Sequence, residues 1–126
     1  MLTRNYSRCG IVGLLVALIG LGTPANAQAP RYSITDLGTL GGGTSKGYGI
    51  DASGQVTGVA VTAKGTLHAF LYTEHALRDL NSMIDPRVAA HVILGSGRGI
   101  NDDGSIVANG VDSRTGETHA YLLSKQ

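Results

Sequence analysis

Ten residues, Gly49-Ile50-Asp51-Ala52-Ser53-Gly54-Gln55-Val56-Thr57-Gly58, return as Gly99-Ile100-Asn101-Asp102-Asp103-Gly104-Ser105-Ile106-Val107-Ala108. Downstream, His68-Ala69-Phe70-Leu71-Tyr72 returns as His119-Ala120-Tyr121-Leu122-Leu123. The first block recurs at an offset of 50 residues and the second at 51, which places a single inserted residue in the loop between the blocks. Self-similarity at such a spacing implies stacked, similar units, none of which buries its apolar face alone. It constrains architecture far more than activity.

The apolar stretches after residue 30 are short, rich in β-branched or aromatic residues, and bounded by Gly, Asp, Asn or Ser. That is the pattern of strands and turns, and no window sustains a helical stripe. Strands are predicted at about Tyr32–Leu37, Lys46–Asp51, Gln55–Thr62, Leu67–Thr73, Leu77–Leu80, Ile93–Asn101, Ser105–Asp112 and Thr118–Leu123, with room for a turn of helix only in Ile84–Ile93. Asp51-Ala52-Ser53-Gly54 and Asn101-Asp102-Asp103-Gly104 each place an Asx first and a Gly fourth, so each is predicted to close a hairpin. The fold class expected is all-β: two antiparallel β-meander repeat units, propeller-blade-like, making an incomplete ring. Unit one spans about residues 32–73 and unit two about 77–123. Thr35-Asp36-Leu37 and Arg78-Asp79-Leu80 form a weaker match ahead of each meander and suggest a fourth strand per unit. Asn109-Gly110 is expected to interrupt the second Val-rich strand, and the glycine-rich stretch 41–46 to form a flexible turn between units.

Residues 1–27 are read as a signal peptide. Arg4 and Arg8 precede an apolar run from Ile11 to Leu21, and Pro24-Ala25-Asn26-Ala27 ends in the small-x-small pattern of a cleavage site. The run falls short of the roughly 18–20 apolar residues of a spanning helix, so no membrane span is expected after cleavage. The protein is expected to be exported: periplasmic, secreted or at the cell surface. Cys9, the one cysteine, lies before the apolar run and leaves with it, so the 28–126 domain has no thiol for a disulfide, a metal or nucleophilic attack. That domain carries eight Lys and Arg against nine Asp and Glu, a balance with no electrostatic footprint for nucleic acid. Phe70 is the only Phe and there is no Trp, so the core falls mainly to Val, Ile, Leu and a few Tyr.

His68 and His119 are the tempting chemical pair. Alternation along a strand puts His68, Phe70 and Tyr72 on one face, matched by His119, Tyr121 and Leu123. A metal or a catalytic site needs convergent partners, and His75 and His91 lie in segments that do not repeat. A histidine recurring once per unit fits a structural hydrogen bond better. Asn101-Asp102-Asp103-Gly104 lacks the spaced acidic series and terminal Glu of a calcium loop. Gly41-Gly42-Gly43-Thr44-Ser45-Lys46 lacks the Gly-Lys-Ser/Thr order of a phosphate loop, and Gly95-Ser96-Gly97 has the wrong spacing for a nucleophile elbow. No residue is assigned a catalytic, cofactor-binding or metal role, and no cofactor is expected. Gly49, Ile50, Asp51, Gly54, His68 and Phe70, with Gly99, Ile100, Asn101, Gly104, His119 and Tyr121, are assigned as structural motif residues.

The block Gly-Ile-Asx-x-x-Gly-x-Val, a loop and then His-Ala-Phe-Leu, with Asp36-Leu37-Gly38-Thr39-Leu40-Gly41-Gly42 between units, resembles the bacterial HAF family of extracellular repeats. The resemblance implies an exported β-repeat protein of propeller-like blades without an established catalytic function. The second unit departs from the pattern in carrying Tyr121 for Phe, and two units are few for a closed ring. A binding or envelope scaffold role follows as the expectation, with self-association or attachment to a larger repeat protein through open strand edges. Two alternatives stand beside it: a small exported hydrolase using His68 or His119, and a remnant of a longer repeat protein.

Overall fold

The computed structural model describes residues 29–126; the expected signal peptide, residues 1–27, lies outside them. The chain divides into a part ending at Thr35 and a compact unit, Asp36–Gln126. Residues 29–35 carry no strand or helix. The compact unit is built from β1 (Gly41–Ile50), β2 (Val56–Thr62), β3 (Leu67–Thr73), β4 (Ala76–Asp79), a 3-10 turn (Leu80–Ser82), α1 (Pro86–Ala89), β5 (Val92–Ile100), β6 (Ile106–Asp112) and β7 (Glu117–Leu123). The strands form two antiparallel sheets in the orders β1-β2-β3-β4 and β5-β6-β7, and neither closes. The protein is therefore all-β, and each sheet contains a meander.

The register explains which side chains share a face. Val56, Gly58 and Ala60 stand opposite Tyr72, Phe70 and His68, while Ile106, Ala108 and Gly110 stand opposite Leu123, Tyr121 and His119. The first strand of each meander slips register twice, first between Gly41 and Ser45 in β1 and between Leu94 and Ser96 in β5, and last between Gly47 and Gly49 in β1 and between Gly97 and Gly99 in β5. After the last slip Ile50 faces Val56 and Ile100 faces Ile106. A one-residue bulge reverses which side chains point inward, so its position decides the buried face.

The core lies between the two sheets. Ala69 and Leu71 of β3, with Leu80 just after β4, meet Val92, Leu94, Ile106 and Ala108 of the second sheet, flanked by Ile84, Ile100, Tyr121 and Leu123. β5 is the strand that crosses the first sheet, lying against β2 and β3 and reaching β1. The approach is closest where glycine removes the side chain: a Cβ on Gly97 would come within 1.9 Å of the Thr57 hydroxyl oxygen, and one on Gly49 within 3.1 Å of the Gly99 Cα. Thr57 is fully buried and donates its hydroxyl hydrogen bond to the Phe70 carbonyl at 2.8 Å. At the rim, the Arg98 guanidinium of β5 sits 4.7 Å over the Tyr48 ring of β1, a cation–π contact.

Three expectations are corrected. The strand expected at Tyr32–Leu37 does not form; Tyr32 and Ile34 are 90% and 98% exposed, and an alternating pattern without a neighbouring strand has nothing to hold it extended. Residues 41–46 are not a turn but the opening half of β1, and glycine serves close approach there: a Cβ on Gly42 would fall within 2.5 Å of Val61 Cγ1. Asn109-Gly110 does not interrupt β6. Both residues stay paired, to Ala120 and His119, and the bare Cα of Gly110 gives room to Leu94 and Tyr121. The expected turn of helix is α1, capped by Asp85, whose carboxylate accepts from the Arg87 amide at 2.8 Å, with Pro86 in the first turn.

Candidate functional site

The motif residues converge on two kinds of structure, hairpin turns and a side-chain relay. In the first turn the Asp51 carboxylate accepts from the Ser53 amide (3.0 Å), the Ser53 hydroxyl (3.0 Å) and the Gln55 amide (2.8 Å). In the second, Asn101 Oδ1 accepts from the amides of Asp103 and Ser105, both at 3.0 Å. Gly54 and Gly104 close these turns at φ +86° and +83°, a backbone region that side chains with a Cβ resist. Some loss of hydration works to raise the Asp51 pKa, but the hydrogen bonds from Gln55 and Ser53 outweigh it and hold the carboxyl below its ordinary range. The two tips are tied to each other, because Asp102 Oδ1 accepts from the Ala52 amide at 2.8 Å.

The relay begins at His68. Its Nδ1 lies 2.7 Å from Asp79 Oδ2, across the β3–β4 pair and partly buried. The other carboxylate oxygen accepts from the Asn81 amide at 2.9 Å and from Asn81 Nδ2 at 3.0 Å. Asn81 then pairs with a backbone of the opposite sheet: its Oδ1 accepts from the Leu94 amide at 2.7 Å, and its Nδ2 donates to the Leu94 carbonyl at 3.0 Å. Burial works to raise the Asp79 pKa, and the bonds from His68 and Asn81 prevail and lower it. The relay thus joins strand β3 and the end of β4 in the first sheet to strand β5 in the second. Sequence reasoning missed Asn81, whose one signal is its place two residues after an Asp, the spacing of an Asx turn.

His119 occupies the matching strand position with a different partner. Its Nε2 lies 3.0 Å from Glu117 Oε1, both side chains are more than half exposed, and its ring stands 6.3 Å from that of Tyr121. His68 and His119 lie in separate sheets, each with its own carboxylate. His75 sits in the tight β3–β4 turn with Glu74, both at positive φ (64° and 52°). His91 Nδ1 lies 3.7 Å from Asp112, whose carboxyl is held well below its usual range chiefly by the Arg114 guanidinium and amide. Among the described residues no hydroxyl hydrogen-bonds to His68, and no three His, Cys, Asp or Glu are grouped to hold a metal ion.

Concavities open on this framework among the described residues. One, of about 770 Å³, lies between the α1 region and β7 and is lined by Met83, Ile84, Val88, Val92, Tyr121 and Leu123 among others. The smaller, of about 370 Å³, lies between the first hairpin tip at Ser53–Gln55 and the β3–β4 turn at Glu74–His75. The larger is mainly apolar and holds one carboxylate, Asp85, already engaged by Arg87. No helix among the described residues is long and apolar enough to cross a membrane. The chain matches no protein-family model, no curated protein and no solved structure.

Proposed function

We propose that this chain is an exported, non-catalytic β-repeat protein of the HAF type, acting as a binding or scaffold module of the cell envelope or its exterior. The observation that carries this reading is the employment of the motif residues. Asp51, Gly54, Asn101 and Gly104 are spent on closing hairpins, and His68 on fastening β3 to β4 through Asp79. Residues that recur in sequence and serve the backbone mark a building unit. The surface left for recognition consists of loops and strand edges on a rigid frame. Association with further copies, or with a larger repeat protein, uses those edges.

A hydrolase reading would assign His68 as base with Asp79 orienting it, which is the His–carboxylate half of a triad. The test separates the two. His68→Ala is expected to lower the unfolding midpoint in urea and to change no esterase, phosphatase or glycosidase activity of the purified chain. Turnover of any such substrate that disappears in a still-folded His68→Ala variant would overturn the non-catalytic reading. Export is tested by sequencing the N-terminus of the secreted product, expected to begin at Gln28.

A further inference from the structure

The first sheet has four strands and the second three, and the difference defines an empty place. β4 runs beside β3 with Asp79 opposite Phe70, Arg78 opposite Leu71, Leu77 opposite Tyr72 and Ala76 opposite Thr73. β7, which stands to β6 as β3 stands to β2, has no strand on its outer side among the described residues. Its free edge adjoins the 770 Å³ groove, where Leu123 and Tyr121 meet Met83, Ile84 and Val88. Leu122 on that edge is 68% exposed. An uncovered edge beside an apolar groove is an unfilled strand site.

The chain also carries a segment with strand composition that forms no strand. Thr35-Asp36-Leu37 matches Arg78-Asp79-Leu80, and Asp36 makes the turn that Asp79 makes: its Oδ1 accepts from the Gly38 amide at 2.9 Å, as Asp79 Oδ1 accepts from Asn81 at 2.9 Å. By this match Ser33–Asp36 corresponds to β4, with Ile34 in the place of Leu77. Ile34 and Tyr32 are 98% and 90% exposed and alternate on one face of the segment, the face that Asp36 shares. Two large apolar side chains in water, with no strand formed, complement a groove that lacks its occupant.

We propose that Ser33–Asp36 of one copy adds to the free edge of β7 of a second copy as an antiparallel fourth strand, with Asp36 opposite Tyr121, Thr35 opposite Leu122, Ile34 opposite Leu123 and Ser33 opposite Ser124. Ile34 then enters the groove beside Leu123, and Asp36 comes up against His119 as Asp79 stands against His68. Backbone hydrogen bonds supply affinity, and the alternate side chains supply register. Donor and acceptor are different surfaces, so the contact is heterologous and propagates from copy to copy until a ring closes or a filament grows. The inference rests on the self-association part of the proposed function and is independent of what the assembly binds.

The test is a cross-linking experiment on chains expressed from the full 126-residue sequence. Ser33→Cys and Ser124→Cys are made separately, both at exposed positions outside the core, then mixed and oxidised. The expected product is a disulfide-linked heterodimer whose linked peptides contain positions 33 and 124, because directly opposed strand residues lie within disulfide reach. A mixture of Ile34→Cys with Ser124→Cys, off register by one residue, is expected to link far less. In parallel, Ile34→Lys is expected to weaken self-association by roughly ten- to a hundredfold in sedimentation equilibrium, the loss of one buried aliphatic side chain, with an unchanged circular dichroism spectrum. A mixture that remains monomeric, equal linking in the off-register pair, or an Ile34→Lys chain that associates like the parent would each overturn the proposal. A synthetic peptide of unrelated sequence binding β7 as well as one spanning residues 31–37 would also overturn it, by showing an edge without register.

Discussion

The contact between Gly97 and Thr57 offers the sharpest test of how the two sheets meet. Gly97→Ala places a methyl group 1.9 Å from the Thr57 hydroxyl oxygen, 3.2 Å from its Cβ and 3.3 Å from the Gly58 amide nitrogen. Thr57 is fully buried and its hydroxyl is committed to the Phe70 carbonyl, so it has no free rotamer to retreat into. Either the hydroxyl gives up its hydrogen bond or β5 lifts from β2. Overpacking of this kind costs about 1–3 kcal/mol, and a lost buried hydrogen bond adds about 1 kcal/mol. The expected loss is therefore about 2–4 kcal/mol, read as a fall in the urea midpoint of about 1–2 M if the slope is about 2 kcal/mol per M. In a Thr57→Ala background the closest clash disappears and a 3.2 Å contact remains, so Gly97→Ala should then cost less than about 1 kcal/mol. Additive effects of the two substitutions, or a Gly97→Ala chain as stable as the parent, would refute the close approach of β5 to β2.

Asn81→Ala removes both hydrogen bonds to the Leu94 backbone and one to Asp79, and is expected to destabilise by about 2–3 kcal/mol in chemical unfolding, while Asn81→Asp, which turns a carboxylate toward the Leu94 carbonyl and the Asp79 carboxylate, is expected to be no more stable than Asn81→Ala at neutral pH. His75→Gly relieves one of the two positive-φ residues in the β3–β4 turn and should stabilise by about 1 kcal/mol, seen as a raised melting temperature. Asp79 and Asp112 both have carboxyl pKa values lowered by folding, so the stability they contribute is fully present above the ordinary carboxylate value of 3.8 and is lost as pH falls below it toward their folded values. Acid unfolding should accordingly begin below about pH 4, and Asp79→Asn should reduce the acid dependence along with the stability.

What was legible in the chain followed the range of the interaction. The Asx-Gly hairpins lie within five residues, and Asp51, Gly54, Asn101 and Gly104 serve in the turns as their order implied. The alternation of His68, Phe70 and Tyr72 against Ala69 and Leu71 is likewise local and holds in the register. Pairing between distant segments was not legible. Gly41–Ser45 has turn composition but strand conformation, because Val61 comes too close for a side chain on Gly42. Tyr32–Leu37 has strand composition and no strand, since pattern alone supplies no partner. Asn81 reaches a backbone thirteen residues away, and nothing in its immediate neighbours announces Leu94 as the target.

The bond between Asp102 and Ala52 spans 50 positions of chain, whereas the ladder pairs within each meander join residues at most about twenty apart. Local contacts close quickly and distant ones late, so each meander should form as its own cooperative element before β5 settles across β2 and β3. Amides inside β2 and β6 should then outlast that of Ala52 in hydrogen exchange, since the tie between the hairpin tips opens whenever the sheets part. The link between the tips is thus a reporter on docking, and a probe at Ala52 would time the last event of folding.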